Sequence, residues 1–193
     1  MTVRPLLLPL ASLSLLAACA MPSSSSSGAA GPYVVASLAP TAGNQASGTV
    51  WFVQQGPQVL VRGRVTGLKP NQEHGFHVHE KGDCSAPDAT SAGGHFNPDG
   101  KPHGPQGAPH HAGDLPALKA DASGAANIRA TIDGSVLAGA NALAGKGVIV
   151  HANPDDYTTQ PTGNSGGRIA CGVIGTAAGQ DAAGRAVPMP REM

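Results

Sequence analysis

The stretch HGFHVHEKGDCSAPDATSAGGHFNPDGKPHGPQGAPHHAGD, running from His74 to Asp114, holds seven of the chain's eight histidines. Its opening residues, Gly75 to His79, alternate, and a period of two puts Phe76 and Val78 on one side and His77 and His79 on the other. This predicts a strand with one apolar face and one imidazole face. About 35 residues without sustained periodicity follow, rich in Gly and Pro and far beyond the roughly 12 to 15 above which a structureless loop is usually functional. Something must order such a loop, and histidine points to a metal.

Strands are expected on both sides of this stretch. Tyr33 to Ala39, Ser47 to Gln54 and Gln58 to Leu68 alternate and are bounded by Gly, Pro or Asn, with Val59, Val61 and Val65 sharing one face. Gln55-Gly56-Pro57 has the length and residues of a hairpin turn, and Lys69-Pro70-Asn71 marks another break. Beyond the histidines, Leu115 to Asp121 and Ala125 to Ile132 flank Ala122-Ser123-Gly124, a second hairpin signal. Ser135 to Ala144 has the composition of a helical turn, although Gly134, Gly139 and Gly145 argue against a long helix. Gly147 to His151 reads as a strand, Ala152 to Gly167 as a second long loop, and Arg168 to Ile174 as the last strand. Eight strands, two long loops and almost no helix predict an all-β antiparallel sandwich or flattened barrel.

The 193 residues, 12% of them charged and with 27 Gly and 17 Pro, fit one Gly-rich domain with plain tails. Twelve basic and twelve acidic residues cancel, so no basic field exists to hold nucleic acid or an anionic bilayer. At the N-terminus Arg4 precedes the apolar run Leu6 to Ala18, too short to span a bilayer but suited to a secretory signal. Leu16-Ala17-Ala18-Cys19 resembles the lipobox of bacterial lipoproteins, which implies cleavage after residue 18 and a lipid on Cys19. Cleavage there removes only Arg4 among the charged residues, leaving 11 basic against 12 acidic, a net charge of −1. Residues 19–32, with five consecutive serines from Ser23 to Ser27, then serve as a flexible tether. The domain is expected over 33–177 and a disordered tail over 178–193. An export signal places the protein in the cell envelope, facing the periplasm. Ala20 after Cys19 resembles outer-membrane sorting in a host with two membranes. With Cys19 committed to the anchor, Cys84 and Cys171 remain as a disulfide pair in an oxidising compartment.

The donors divide into two groups. His95, His103 and His111 recur every eight residues and Asp114 follows by three, so three imidazoles and a carboxylate form a closed four-coordinate set suited to zinc. His151 ends its strand and can complete an imidazole-rich group with His77 and His79, a donor set that suits copper. His110 beside His111 is expected to be solvated, and His74 to bond to backbone.

Gly75-Phe76-His77-Val78-His79-Glu80, Gly94-His95-Phe96-Asn97-Pro98, His111-Ala112-Gly113-Asp114 and the run from Gly163 to Ile174, GNSGGRIACGVI, together resemble the copper/zinc superoxide dismutase family over about residues 33 to 176. The resemblance implies the Greek-key form of the eight-stranded sandwich, with copper and zinc as cofactors. Superoxide would be converted to dioxygen and hydrogen peroxide by alternating Cu(II)/Cu(I) reduction and oxidation. It also implies His77, His79, His95 and His151 as copper ligands and His95, His103, His111 and Asp114 as zinc ligands, with His95 bridging and exchanging a proton. Arg168 would guide the anion, Asp155 would join ligands of both metals, and Cys84 with Cys171 would match the family disulfide. The chain departs from the family between Cys84 and His95, where it has no lysine, and at Gln160 and Pro161, where relatives often carry charge. Lys101 is a nearby candidate for steering instead. No interface patch stands out, and the homodimer common in the family is the implied association. A non-enzymatic copper/zinc-binding lipoprotein on the same fold is the alternative, and Arg168 with a bridging His95 argues against it.

Overall fold

Side chains alternate along every long strand of the computed structural model, which describes residues 1–2, 32–176 and 178–190. The expected signal, the lipid on Cys19 and all but the end of the tether lie outside the described residues. Nine strands are present among them: β1 Tyr33–Pro40, β2 Ser47–Gln55, β3 Gln58–Thr66, β4 Glu73–His74, β5 Phe76–His79, β6 Leu118–Lys119, β7 Ala126–Ile132, β8 Gly147–His151 and β9 Arg168–Val173. Seven form one curled sheet in the order β5-β8-β9-β1-β2-β3-β7, while β4 and β6 pair separately. All named strand pairs are antiparallel, as an all-β sandwich or flattened barrel requires. β1 makes the turn between the two halves, pairing with β2 along Tyr33 to Leu38 and with β9 only at Ala39 and Pro40.

One face of this curled sheet makes the core. Val34, Ala36 and Leu38 from β1, Val50 and Phe52 from β2, Val59, Val61 and Val65 from β3, and Ile128 and Ile132 from β7 meet Phe76, Val78, Val148 and Val150. Phe76 and Val78 thus take the apolar side of β5 and commit His77 and His79 to the other, since a one-residue slip would bury both imidazoles in the core. The hairpin at Gly56-Pro57 forms as expected, with Gln55 paired to Gln58.

Three stretches differ from expectation. The strand expected over Leu115 to Asp121 shrinks to Leu118–Lys119, because Leu115 and Ala120 bond instead to Phe76 and Gln72 across the chain. Glu73–His74 supplies its partner and adds the ninth strand. No helical turn forms over Ser135 to Ala144: Gly139 sits at φ 107°, outside the right-handed helical region, and the segment closes through a parallel bridge between Val136 and Ala142.

The third difference is the tail, expected to be disordered. Gly179 N–H donates to Tyr33 O and Val187 N–H to Gly179 O, both at 2.9 Å, and Gln180 bridges to Ala186. Asp181, 4% exposed, accepts from the Ala183 and Arg185 N–H groups and pairs with the Arg185 guanidinium. The physical reason lies in the sheet beneath. Val35, Trp51 and Val53 point away from the core, yet are buried, and Trp51 Nε1 donates to Val187 O at 3.4 Å. The tail covers an apolar outer face that composition alone does not reveal.

Candidate metal centre

The long loop after β5 is fastened in two ways. Its first part is tied by the disulfide Cys84–Cys171, which closes 87 residues and, in the chain-entropy picture, removes ~4 to 5 kcal/mol of unfolded-state freedom. A single 3₁₀ turn, Thr90–Ala92, lies under it, and Ala89 and Ala92 pack with Ile149 and the disulfide on the side of the sheet away from the main core. The second part runs back along the free edge of β5: Phe96 N–H donates to Val78 O and Val78 N–H to Gly113 O, both at 2.8 Å. These bonds align His79 with His95 and His77 with Asp114.

Two groups of buried donors result. Ligand atoms of His77, His79, His95 and His151 lie within 4.8 Å of one another, as do those of His95, His103, His111 and Asp114. His95 belongs to both. All seven residues are less than 8% exposed, and seven polar side chains could not be buried so closely without something to satisfy them. Five of the six rings, all but His111, have one nitrogen in a hydrogen bond. His79 Nδ1 donates to Gly93 O at 2.9 Å and His151 Nδ1 to Gly166 O at 3.1 Å, which leaves the two Nε2 atoms 3.4 Å apart. His77 Nε2 donates to Asp155 Oδ2 at 2.6 Å and leaves Nδ1 without a partner.

The second group converges on a carboxylate. Asp114 Oδ1 lies 2.8 Å from His95 Nδ1, 3.0 Å from His103 Nδ1 and 3.2 Å from His111 Nδ1. Its Oδ2 accepts from the His111 N–H at 2.9 Å. Nδ1 of His103 and His111 and Nε2 of His95 are buried with no hydrogen-bond partner. Orphaned nitrogens directed into one space beside an anion are what a bound cation requires, and the all-imidazole and imidazole-carboxylate sets fit copper and zinc respectively.

Asp155 reaches both groups, with Oδ1 2.9 Å from His103 Nε2 and Oδ2 on His77. Gly163, at φ 65°, makes that approach feasible, because a Cβ there would strike both Asp155 Oδ1 and His103 Nε2. Electrostatics set His103 apart from the other shifted rings, His111 included, whose value burial also lowers. Burial, reinforced by neighbouring imidazoles, lowers His77 to about 4, His79 to about 2 and His151 to about 3. These rings are therefore neutral and ready to donate lone pairs at neutral pH. Burial opposes charge on His103 as well, but the adjacent Asp114 and Asp155 carboxylates outweigh it and raise the ring to about 9. Both carboxylates sit well below the usual range, their own burial being overcome by the His103 bonds and by His95 or His77.

Arg168 opens β9, and a register shift between Val150 and His151 sets it opposite His151, a common use of a bulge beside a site. Its two terminal nitrogens donate to Ala89 O and Gly93 O. Its charge contributes to the lowered values of His79 and His151. Lys101, the other steering candidate, is paired with Asp99 at 3.2 Å, both about half exposed. His74 Nδ1 donates to His151 O at 2.8 Å, and the half-exposed His110 bonds only to Ala108 O; neither ring is in either group. Sequence reasoning did not find Gly93 and Gly166 as partners of ring nitrogens, since carbonyls carry no sequence signal.

A family model for copper/zinc superoxide dismutase matches residues 46–174. The chain is 46% identical over 136 residues to superoxide dismutase [Cu-Zn] 2 of Brassica juncea, a match covering 66% of this chain and 88% of that one. It is also similar to a solved structure titled as the clock protein EA4, with a TM-score of 0.69 and 39% identity over 76% of this chain and 96% of the other. With more than half its length matched by the family model, the chain belongs to the copper/zinc superoxide dismutase family.

Proposed function

We propose that this superoxide dismutase converts two superoxide anions and two protons to dioxygen and hydrogen peroxide with copper held by His77, His79, His95 and His151 and zinc by His95, His103, His111 and Asp114. The observation that carries the reading is the membership of His95 in both buried groups. Copper bound there supplies the one-electron redox change, while zinc, which has none accessible, holds charge and loop geometry.

The chain's own groups do the rest. Arg168 places a fixed cation beside His79 and His151, where it draws a small anion inward. Gripped by two carbonyls, its guanidinium needs no reorganisation when the anion arrives. His95 Nε2, buried and without a hydrogen-bond partner, is the atom that can hold and release the proton peroxide needs. His95 Nδ1, 2.8 Å from Asp114, stays on the other group, so the ring keeps its orientation throughout. Asp155 fixes the tautomers of His77 and His103 from behind.

A copper and zinc store needs neither an anion guide nor a shared imidazole, which favours the enzyme over the non-catalytic alternative. Superoxide consumption by the metal-loaded protein tests this: it should far exceed that of the same amount of free copper, and a rate no better than free copper would discard the enzymatic reading.

Export and anchoring belong to the same proposal. Residues 1–18 act as the signal, Cys19 carries the lipid, and the tether delivers the domain to the periplasmic side of the outer membrane. The disulfide supports an oxidising compartment. Cys19→Ser should release the protein from the membrane fraction, and continued membrane retention would refute the anchor. A homodimer is the expected association, and sedimentation of the metal-loaded domain at one protomer's mass would rule it out.

A further inference from the structure

The second long loop grips the first at a residue no charge or motif marks out. Gln160 straddles the backbone of His103: its Oε1 accepts from the His103 N–H and its Nε2 donates to the His103 C=O, both at 2.9 Å. Among the described residues no backbone group bonds to the His103 backbone. The segment around it has no strand or helix, so these two bonds fix the direction in which the His103 side chain leaves the chain. Asp155 then sets the ring's rotation through Nε2, with Nδ1 3.0 Å from Asp114 Oδ1. Backbone and ring are held by different residues of the same loop. Gln160 also reaches Thr158 O at 3.4 Å, and Tyr157 Oη accepts from the Ala117 N–H at 3.1 Å, so the loop's own shape is braced.

We propose that Gln160 is a positioning residue for the zinc site, holding His103 so that its Nδ1 meets those of His95 and His111 and the Asp114 carboxylate. The amide is suited to this task because a single side chain offers a donor and an acceptor side by side, matching the donor and acceptor of one residue's backbone. A charged side chain could satisfy only one of them. The proposal rests on the reading of this cluster as the zinc site, and it concerns zinc retention rather than the redox step.

The test compares wild-type protein with Gln160→Ala and the similarly sized Gln160→Met, each full-length and metal-loaded. Zinc release to a chromogenic chelator, copper release and the melting of the metal-free protein are measured, together with the visible spectrum of cobalt(II) bound in place of zinc. Both variants should release zinc about 10 to 100 times faster, the usual cost of losing a group that orients a ligand. The cobalt bands should shift or change in intensity, with copper release and metal-free melting unaltered. Wild-type zinc release and cobalt spectra in both variants would overturn the proposal. So would a Met variant that behaves like wild type, since size alone would then suffice, or a copper release that rises by the same factor, since that is general loosening. If wild-type protein binds neither zinc nor cobalt in this cluster, the metal assignment falls and the role of Gln160 falls with it.

Discussion

His77 and His103, which belong to different donor groups, donate to the two oxygens of one carboxylate, Asp155, at 2.6 and 2.9 Å. The coupling between the groups therefore has two routes, the His95 ring on one side and this carboxylate on the other. Asp155→Asn keeps the shape but can accept at only one oxygen, so one imidazole must lose its partner. Metal affinity should fall by about 10 to 100-fold, at the zinc group first, because His103 alone among the shifted imidazoles owes its raised value to the carboxylates. Titration with zinc and copper chelators measures both affinities, and unaltered zinc affinity would remove Asp155 from the account.

Arg168 is expected to affect rate without affecting metal content. Arg168→Ala removes the cation and should lower kcat/KM by about ten-fold, the low end of what focused charge contributes to association. Its ionic-strength dependence should weaken as well. Arg168→Lys restores the charge but not the two-carbonyl grip on Ala89 and Gly93, so salt dependence should return while the rate recovers only in part. Stopped-flow superoxide decay at several salt concentrations separates these effects, and identical salt profiles in wild type and Arg168→Ala would end the steering role.

Much of this architecture could be read directly from the residues. The alternation of β5 assigns two apolar side chains and two imidazoles to opposite faces, and the structure keeps that assignment because burial punishes any slip. The two remaining cysteines after Cys19 could only pair with one another, and they do. The long motifs conveyed which histidines would group. What stayed illegible depends on partners far apart in the chain and on groups without charge. Gln160 meets His103 across 57 positions through an amide, and neither periodicity nor composition records such a meeting. The order of the tail is illegible for a related reason: its Ala, Gly and Pro content hides Asp181, which four residues later finds Arg185 and across 144 positions finds Ser37.

Acid and alkali should act on the metal-free protein through different histidines. His77, His79 and His151 have folded values below the ordinary 6.5. Below pH 6.5 the unfolded chain binds protons that these buried rings refuse, so their share of stability is present above 6.5 and is lost as pH falls toward 4 and below. His103 has the opposite sign. Raised to about 9 by Asp114 and Asp155, it contributes stability that is complete below 6.5 and lost as pH climbs through 9. With His111, which burial also lowers, joining these three on the acid side and one ring on the alkaline side, denaturant stability should decline more steeply from pH 6.5 to 4 than from 6.5 to 9. Loading zinc should abolish the alkaline loss, since His103 then has no proton to release. A metal-free profile flat between pH 4 and 6.5 would contradict the neutral, buried state assigned to the three imidazoles.

The tail offers an optical reporter of its own docking. Trp51 is the chain's single tryptophan, and it is 7% exposed on a sheet face whose other cover includes Val187. Truncation after Thr176 removes Val187 and the Asp181 to Arg185 turn, leaving Trp51, Val35 and Val53 uncovered while the paired strands and both donor groups remain. The emission of Trp51 should move to longer wavelength and become accessible to aqueous quenchers, with copper and zinc content unchanged. Asp181→Ala should do the same in part, because Ser37 Oγ and the N–H groups of Ala183 and Arg185 all converge on that carboxylate. The Arg185 bonds hold the Asp181 acid function below its usual range, so the contribution is present above that range and fails as pH drops through the folded value. Acidification should therefore reproduce the red shift of the Asp181→Ala variant in wild-type protein and add nothing to it in the truncated form. A truncated protein whose Trp51 emission matches wild type would show that the tail does not cover this face in solution.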